Sequence, residues 1–208
     1  MTSPTPLLYD TYYHIYNRGN NRENIFIQER NYEYFLKLYA KYIEPVAATF
    51  AYSLLRNHFR TLVKTRPEDE IRETLKKTLK VSEKPLGFDY LSQQFSNFFN
   101  AYAKTINKAY DRTGSLFQHP FGRVLVTSDR QFWAVIAYIH QNPQKHHFVD
   151  DFREWKWSSY HTLLADKPTR LQRAHVLDWF GGKQRYLDLH AQWVSDADSK
   201  WFAADDED

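Results

Sequence analysis

Three groups of residues in this sequence carry side chains able to act on a phosphodiester. The first is Asn57-His58-Phe59-Arg60. Residues two apart on a strand point to the same side, so His58 and Arg60 share one site if the segment is extended. Two imidazoles there would hold a divalent cation over a phosphate, but the second position is an arginine, and a lone strand histidine is more often structural than a ligand. The second candidate is Tyr102, a potential nucleophile on an apolar stripe where tyrosine is ordinarily core. Its neighbours in sequence are Asn100, Lys104, Asn107, Lys108 and Arg112. Lys104, Lys108 and Arg112 recur every four residues and form a basic face suited to phosphates. That face lies roughly 200° around the helix from Tyr102, so stripe and tyrosine cannot serve the same atom. The third is the loop Asn17-Arg18-Gly19-Asn20-Asn21-Arg22, whose amides and two guanidinium groups can grip a nucleic-acid backbone or base edges. A solvated turn is the equally weighted alternative.

These residues need elements to position them. Alternating β-formers predict a first strand over 11–16, broken at Asn17-Arg18-Gly19-Asn20. Tyr34, Phe35, Leu38 and Tyr42 have helical spacing and predict a helix over 30–43, stopped by Pro45. Strands over 49–55 and 58–64 follow, joined tightly at Arg56-Asn57. A charged helix over 68–80 reads as an insertion closed by Pro85 and Gly87. The stripe Leu91, Phe95, Phe98, Phe99, Tyr102, Ile106 and Tyr110 predicts a helix over 91–112 that Thr113-Gly114 terminates. A strand over 121–126 comes next, then a helix over 130–140 capped by Ser128 or Asp129 and ending before Asn142-Pro143. Short helices are expected near 175–180 and 185–193. The order β-α-β-β-α-β, with a helical insertion and C-terminal helical additions, is a ferredoxin-like α+β arrangement. It divides into a domain over 1–165 with an insertion at about 67–84, a helical extension over 166–194 and an acidic tail over 195–208.

Composition narrows the partner. The 208 residues contain no cysteine, which excludes disulfides and thiolate metal sites. No apolar run approaches a membrane span and no signal pattern opens the chain, so a cytoplasmic protein with no membrane partner is expected. The net charge of +3 conceals a division: without the tail's six acids and one lysine, 27 basic and 19 acidic residues remain, a body of +8. Such a body suits a polyanion, although charge alone does not decide this.

Five ordered segments resemble one family. Tyr13-His14-Ile15-Tyr16-Asn17-Arg18-Gly19 resembles the opening strand of the HUH single-tyrosine transposases of the REP-associated type, and the strand pair around Asn57-His58-Phe59 resembles their metal-binding segment. Tyr102 five residues before Asn107, followed by Arg112-Thr113-Gly114-Ser115-Leu116-Phe117, is similar to their tyrosine helix and the turn after it. Tyr138-Ile139 with Asn142-Pro143, and Trp157-Ser158-Ser159-Tyr160, match later landmarks. The resemblance covers roughly residues 10–165. It implies a protein that binds single-stranded DNA folded as a hairpin, with His58 as the first HUH histidine and Tyr102 as nucleophile. Asn107 is the candidate third ligand to a magnesium or manganese ion that polarises the scissile phosphate. Attack by the tyrosine would leave a 5′-phosphotyrosine and a free 3′-hydroxyl. Asn17, Arg18, Arg22, Arg56, Arg60, Lys104, Lys108, Arg112 and Arg123 form the expected DNA-binding set. A homodimer is compatible but unassigned.

Arg60 departs from the pattern. A guanidinium donates no lone pair to a metal. It would also repel the ion, by about 4 kcal/mol at ~4 Å in an effective dielectric of ~20. Arg60 could instead bind the phosphate directly. Three readings follow: an active nickase-transposase with an unusual metal site, a degenerate relative that binds a hairpin but cuts poorly or not at all (needing no metal if inactive), or a basic ferredoxin-like module that binds RNA on sheet aromatics.

Overall fold

The computed structural model describes residues 6–79, 86–87 and 89–195. Expectations for Lys80, Pro85 and the acidic tail from Asp196 onward lie outside the described residues. The chain runs β1 (Tyr12–Arg18), α1 (Glu29–Tyr42), β2 (Ala47–Leu54), β3 (His58–Thr65), α2 (Glu68–Leu79), α3 (Tyr90–Ala109), β4 (Gly122–Leu125), α4 (Asp129–Lys145), α5 (Tyr160–Leu164), α6 (Arg173–Phe180) and α7 (Lys183–His190). The four strands form one antiparallel sheet in the order β2-β3-β1-β4. This is the ferredoxin-like α+β arrangement expected from the element order.

Strand alternation sends successive residues to opposite layers. Tyr13, Ile15, Phe59 and Val63 face α1 and α3, in a core with Phe35, Phe98, Phe99 and Tyr102. Leu62 faces the other way, toward Phe132, Val135 and Ile139 of α4. Val176, Phe180 and Tyr186 of α6 and α7 complete that second core, so these helices belong to it rather than hang from it. Both sheet faces are thus covered by helices. Among the described residues the sheet presents no open face with stacking aromatics, which the RNA-binding alternative requires. The β2 edge is closed as well, by hydrogen bonds to Trp157, Ser159 and Gln172. No helix among the described residues is long and apolar enough to cross a membrane.

The last helix ends at His190 rather than 193, and three boundaries nearer the candidate site also differ from expectation. β1 continues past Tyr16 because Asn17 and Arg18 still pair with Phe59 and His58. α3 stops at Ala109, with Tyr110 as its C-cap and Asp111 in the left-handed region at φ 49°, ahead of Thr113-Gly114. α4 runs through Asn142-Pro143 to Lys145. Proline removes one helical donor, and the burial of Ala137 through Pro143 on that helix outweighs the loss. Ser128 is the N-cap, accepting a hydrogen bond from the Gln131 backbone N–H.

Candidate nucleic-acid interface

The loop after β1 is pinned at both ends. Gly19 N–H donates to the Asn57 carbonyl (2.8 Å) and Asn20 N–H to that of Leu116 (3.0 Å). A side chain at Gly19 would put Cβ 2.1 Å from the Glu23 carbonyl oxygen, so the approach requires glycine. Arg18, half-buried, enters on the α4 side of the sheet directly opposite His58, while Tyr16 stands opposite Arg60. The Tyr16 ring lies where any side chain at Gly122 would stand, 2.0 Å from the position of its Cβ.

His58 and Arg60 do share a site, as their spacing predicts, and the residue that joins them is Asn142 of α4. Its Oδ1 lies 2.8 Å from His58 Nε2 and 3.2 Å from Arg60 Nε. Because an arginine can only donate, that amide oxygen is an acceptor, which places the histidine proton on Nε2. The Asn57 carboxamide, 2.8 Å from Nδ1, must then present its NH2 group to the remaining lone pair. Burial, followed by the Arg60 charge, holds the His58 pKa well below the ordinary value, so the ring is neutral. Arg60 is buried, with its guanidinium carbon 5.4 Å from the Tyr16 ring centre and 5.1 Å from that of Tyr138. Lys145 Nζ stands over the same Tyr138 ring (5.1 Å), and His146 packs edge-on against His58 at 4.9 Å. Five basic side chains (Arg18, His58, Arg60, Lys145 and His146) therefore meet where β1 and β3 abut the C-terminal end of α4.

Tyr102 and Asn107 are not part of this constellation. They lie on α3, across the sheet. Tyr102 is fully buried, its hydroxyl donates to the Ile25 carbonyl (2.8 Å), and burial raises its pKa strongly. Asn107 Nδ2 donates to the Gly114 carbonyl (2.8 Å), closing the turn after α3. Lys104 and Lys108 are exposed on the outside of α3, and Arg112 pairs with Glu23. Arg123 pairs in register with Ile15 and so points to the α3 side, donating to Ser92 Oγ (3.1 Å) above the Phe121 ring. Arg22 and Arg56 are exposed beside the loop, and Asn17 is buried with Oδ1 accepting from Arg18 N–H. His14 is buried on the α4 side against Tyr16 and Tyr138.

No family model matches the chain. Over 74 residues it is 30% identical to a Haemophilus influenzae protein named, provisionally, a REP-associated tyrosine transposase; the match spans 35% of this chain and 42% of the length of that relative. A solved REP-associated tyrosine transposase bound to a REP hairpin superposes with a TM-score of 0.58 at 15% identity, over 81% of this chain and 89% of the other. The two share a fold.

Within that fold, two residues at the site were missed as chemistry. Tyr138 and Asn142 are one helical turn apart on α4, and this i, i+4 spacing puts both over His58 and Arg60. The signal was in the sequence, but ending the helix at His140 hid it. The donor set does not fit a divalent cation. Arg60 has no lone pair, the His58 proton and the Arg60 Nε both occupy the Asn142 oxygen, and Asn107 is across the sheet. Among the described residues no three His, Asp or Glu side chains converge on one point.

Proposed function

We propose that this protein binds single-stranded DNA folded as a hairpin, through the basic cluster at the end of α4, and does not cleave it. The hairpin in the solved relative with this fold supports the partner. The observation that carries the second half is the Asn142 oxygen held by both His58 and Arg60. The tyrosine beside that cluster is Tyr138, its ring centre 5.1 Å from the Arg60 guanidinium carbon, but by the family resemblance a guanidinium stands where a metal-ligating imidazole is expected. Arg60 keeps positive charge at the phosphate position and stabilises a bound, uncut strand. Lys104 and Lys108 extend the electrostatic contact along α3.

The test is a denaturing gel for covalent adducts with labelled DNA hairpins carrying single-stranded flanks, in magnesium or manganese. The natural protein should shift the hairpins in a native gel, increasingly weakly as salt rises, and form no adduct. Arg60→His should form one, lost again in the Arg60→His/Tyr138→Phe double variant but kept with Tyr102→Phe. An adduct with the natural protein would overturn the non-cleaving reading. Absence of a salt-sensitive shift would overturn hairpin binding itself.

A further inference from the structure

The C-terminal half of α1 roofs a cavity on the side of the sheet away from the basic cluster. Its volume is about 230 Å³, and it lies between α1, the α1-facing side of β2 and β3, and a wall contributed by Thr162 and the 169–171 segment. That wall is fastened in place. Gln172 N–H donates to the Thr49 carbonyl (2.9 Å), and Arg173 Nη2 donates to the carbonyls of Thr162 (2.9 Å) and Lys167 (2.6 Å). An apolar cavity of about 150 Å³ admits a benzene molecule, so this one has room for a ring with a short polar arm.

The antiparallel course of α1 and β2 divides the lining into two ends. One is apolar, with Phe35 and Leu36 of α1, Tyr52 and Leu54 of β2 and Phe59 of β3. Phe35 and Phe59 meet there at 5.0 Å with their planes tilted by 58°, a setting that suits a third ring. At the other end Tyr39, Thr49 and Thr61 join hydroxyl to hydroxyl, at 3.1 Å and 3.2 Å. Their protons can be placed. Thr61 donates to the Ala51 carbonyl (3.0 Å), which can only accept. The Tyr39 O–H must then donate to Thr61, and the Thr49 O–H to Tyr39. Every proton of the triad is spent, and what remains for the cavity is lone pairs. The Glu44 carboxylate, just past the end of α1, adds two more acceptor oxygens. The cation among the lining residues is Arg170, whose guanidinium meets both Glu44 oxygens at only 3.4 Å. Its side chain is 73% exposed, so this pair opens readily.

We propose that this cavity binds a free α-amino acid with an aromatic side chain. The ring enters the apolar end, the ammonium donates to Glu44 and to the hydroxyl lone pairs, and the carboxylate takes the place of Glu44 on Arg170. A purely apolar molecule would leave those acceptors without donors. An aromatic acid without an amino group would set its carboxylate against that of Glu44. The inference is independent of the hairpin reading.

The test is an NMR titration of the full chain with isotope-labelled leucine methyls. L-Phenylalanine should give saturable shifts at Leu36, Leu54 and Leu171, which all line the cavity, with a Kd of a few millimolar or tighter. 3-Phenylpropionate, which lacks the ammonium, should bind at least about 10-fold more weakly, the loss expected for hydrogen bonds to a charged group. 2-Phenylethylamine, which lacks the carboxylate, should bind roughly 2- to 5-fold more weakly, as for an exposed ion pair. L-Alanine, without the ring, should lose at least about 10-fold. Arg170→Ala should bring L-phenylalanine down to the affinity of 2-phenylethylamine. Thr49→Val should weaken L-phenylalanine and leave 3-phenylpropionate unchanged; urea unfolding reports whether it is folded, and the exposed Arg170→Ala variant carries the test where it is not. Absence of saturable shifts at the three leucines, shifts confined to other leucines, or 3-phenylpropionate binding as tightly as L-phenylalanine overturns the assignment.

Discussion

The two faces of the sheet use the same strands for opposite purposes. On β3, Phe59 and Val63 turn toward α1 and α3 and enter a core of interlocking rings, while His58 and Arg60, one residue out of phase, turn toward α4. The first face is closed chiefly by packed rings, with single hydroxyls such as that of Tyr102 bonded to the backbone. The second holds an imidazole and a guanidinium joined through one carboxamide oxygen inside the protein, and a buried polar network is stable only when its members stay paired. Stability should therefore be concentrated on the α3 side, and nucleic-acid recognition on the α4 side at its exposed end.

The largest expected effect tests the first half of that division. Phe35 is fully buried and its ring centre lies within 5.1 Å of those of Phe26, Phe59, Phe98 and Tyr102. Phe35→Ala should cost about 3–5 kcal/mol in urea unfolding, with hairpin affinity unchanged under conditions where the variant is folded. A loss below ~1 kcal/mol would mean that the ring core does not dominate stability.

Acid should act on the other side. His140 of α4 bonds Ser159 (2.7 Å) and His190 of α7 (2.8 Å), and His190 Nδ1 meets the Tyr186 carbonyl (2.8 Å). That carbonyl can only accept, so protons run one way along the chain, His190 Nδ1–H to Tyr186, His140 Nδ1–H to His190 and Ser159 O–H to His140, with both rings neutral. Burial lowers both pKa values, that of His190 to about 4. A histidine depressed in the folded state costs nothing above its unfolded value of about 6.5. As pH falls toward 4 the unfolded chain takes up the proton first, so stability should drop by roughly 3 kcal/mol from His190 alone. Hydrogen exchange at pH 7.5 and pH 5 should show the loss on α4 and α7 before α1 and α3. Equal loss on both sides would break the comparison.

A smaller effect sits at the junction itself. Asn142→Ala leaves His58 Nε2 and Arg60 Nε without their shared acceptor and should cost about 1–3 kcal/mol. It should also weaken hairpin binding, because Arg60 is no longer held between Tyr16 and Tyr138. Unfolding and anisotropy titrations measure the two separately, and unchanged affinity would move recognition away from this cluster.

How far the sequence disclosed this arrangement follows from the range of its signals. The order of strands and helices was legible because periodicity is local: the ring stripe of α3 and the alternation in β1 each announce their element. The sharing of one site by His58 and Arg60 was legible for the same reason. The face on which Tyr102 lands was not, since an apolar stripe says only that a side is buried and not against which layer of the sheet. Tyr138 and Asn142 stand out in the sequence only as landmarks, because Asn142-Pro143 reads locally as a stop, and only burial in the second core carries α4 past it and brings the two over His58 and Arg60. The His140–Ser159–His190 chain joins residues up to 50 positions apart and has no local signature at all.

The smallest expected change bears most directly on the division between the faces. Tyr102→Phe removes one hydroxyl, leaving the Ile25 carbonyl without its side-chain donor and the ring packing intact. A buried hydrogen bond of this kind is worth about 1 kcal/mol, so the unfolding midpoint should fall slightly and hairpin affinity should hold. Tyr138→Phe should be equally mild in stability, but in the Arg60→His background it should abolish adduct formation where Tyr102→Phe does not. The two tyrosines are thus distinguished by one experiment on one gel. If Tyr102→Phe instead removed the adduct, its hydroxyl would have to leave Ile25 and reach the far side of the sheet. The separation of a structural face from a recognition face would then be untenable.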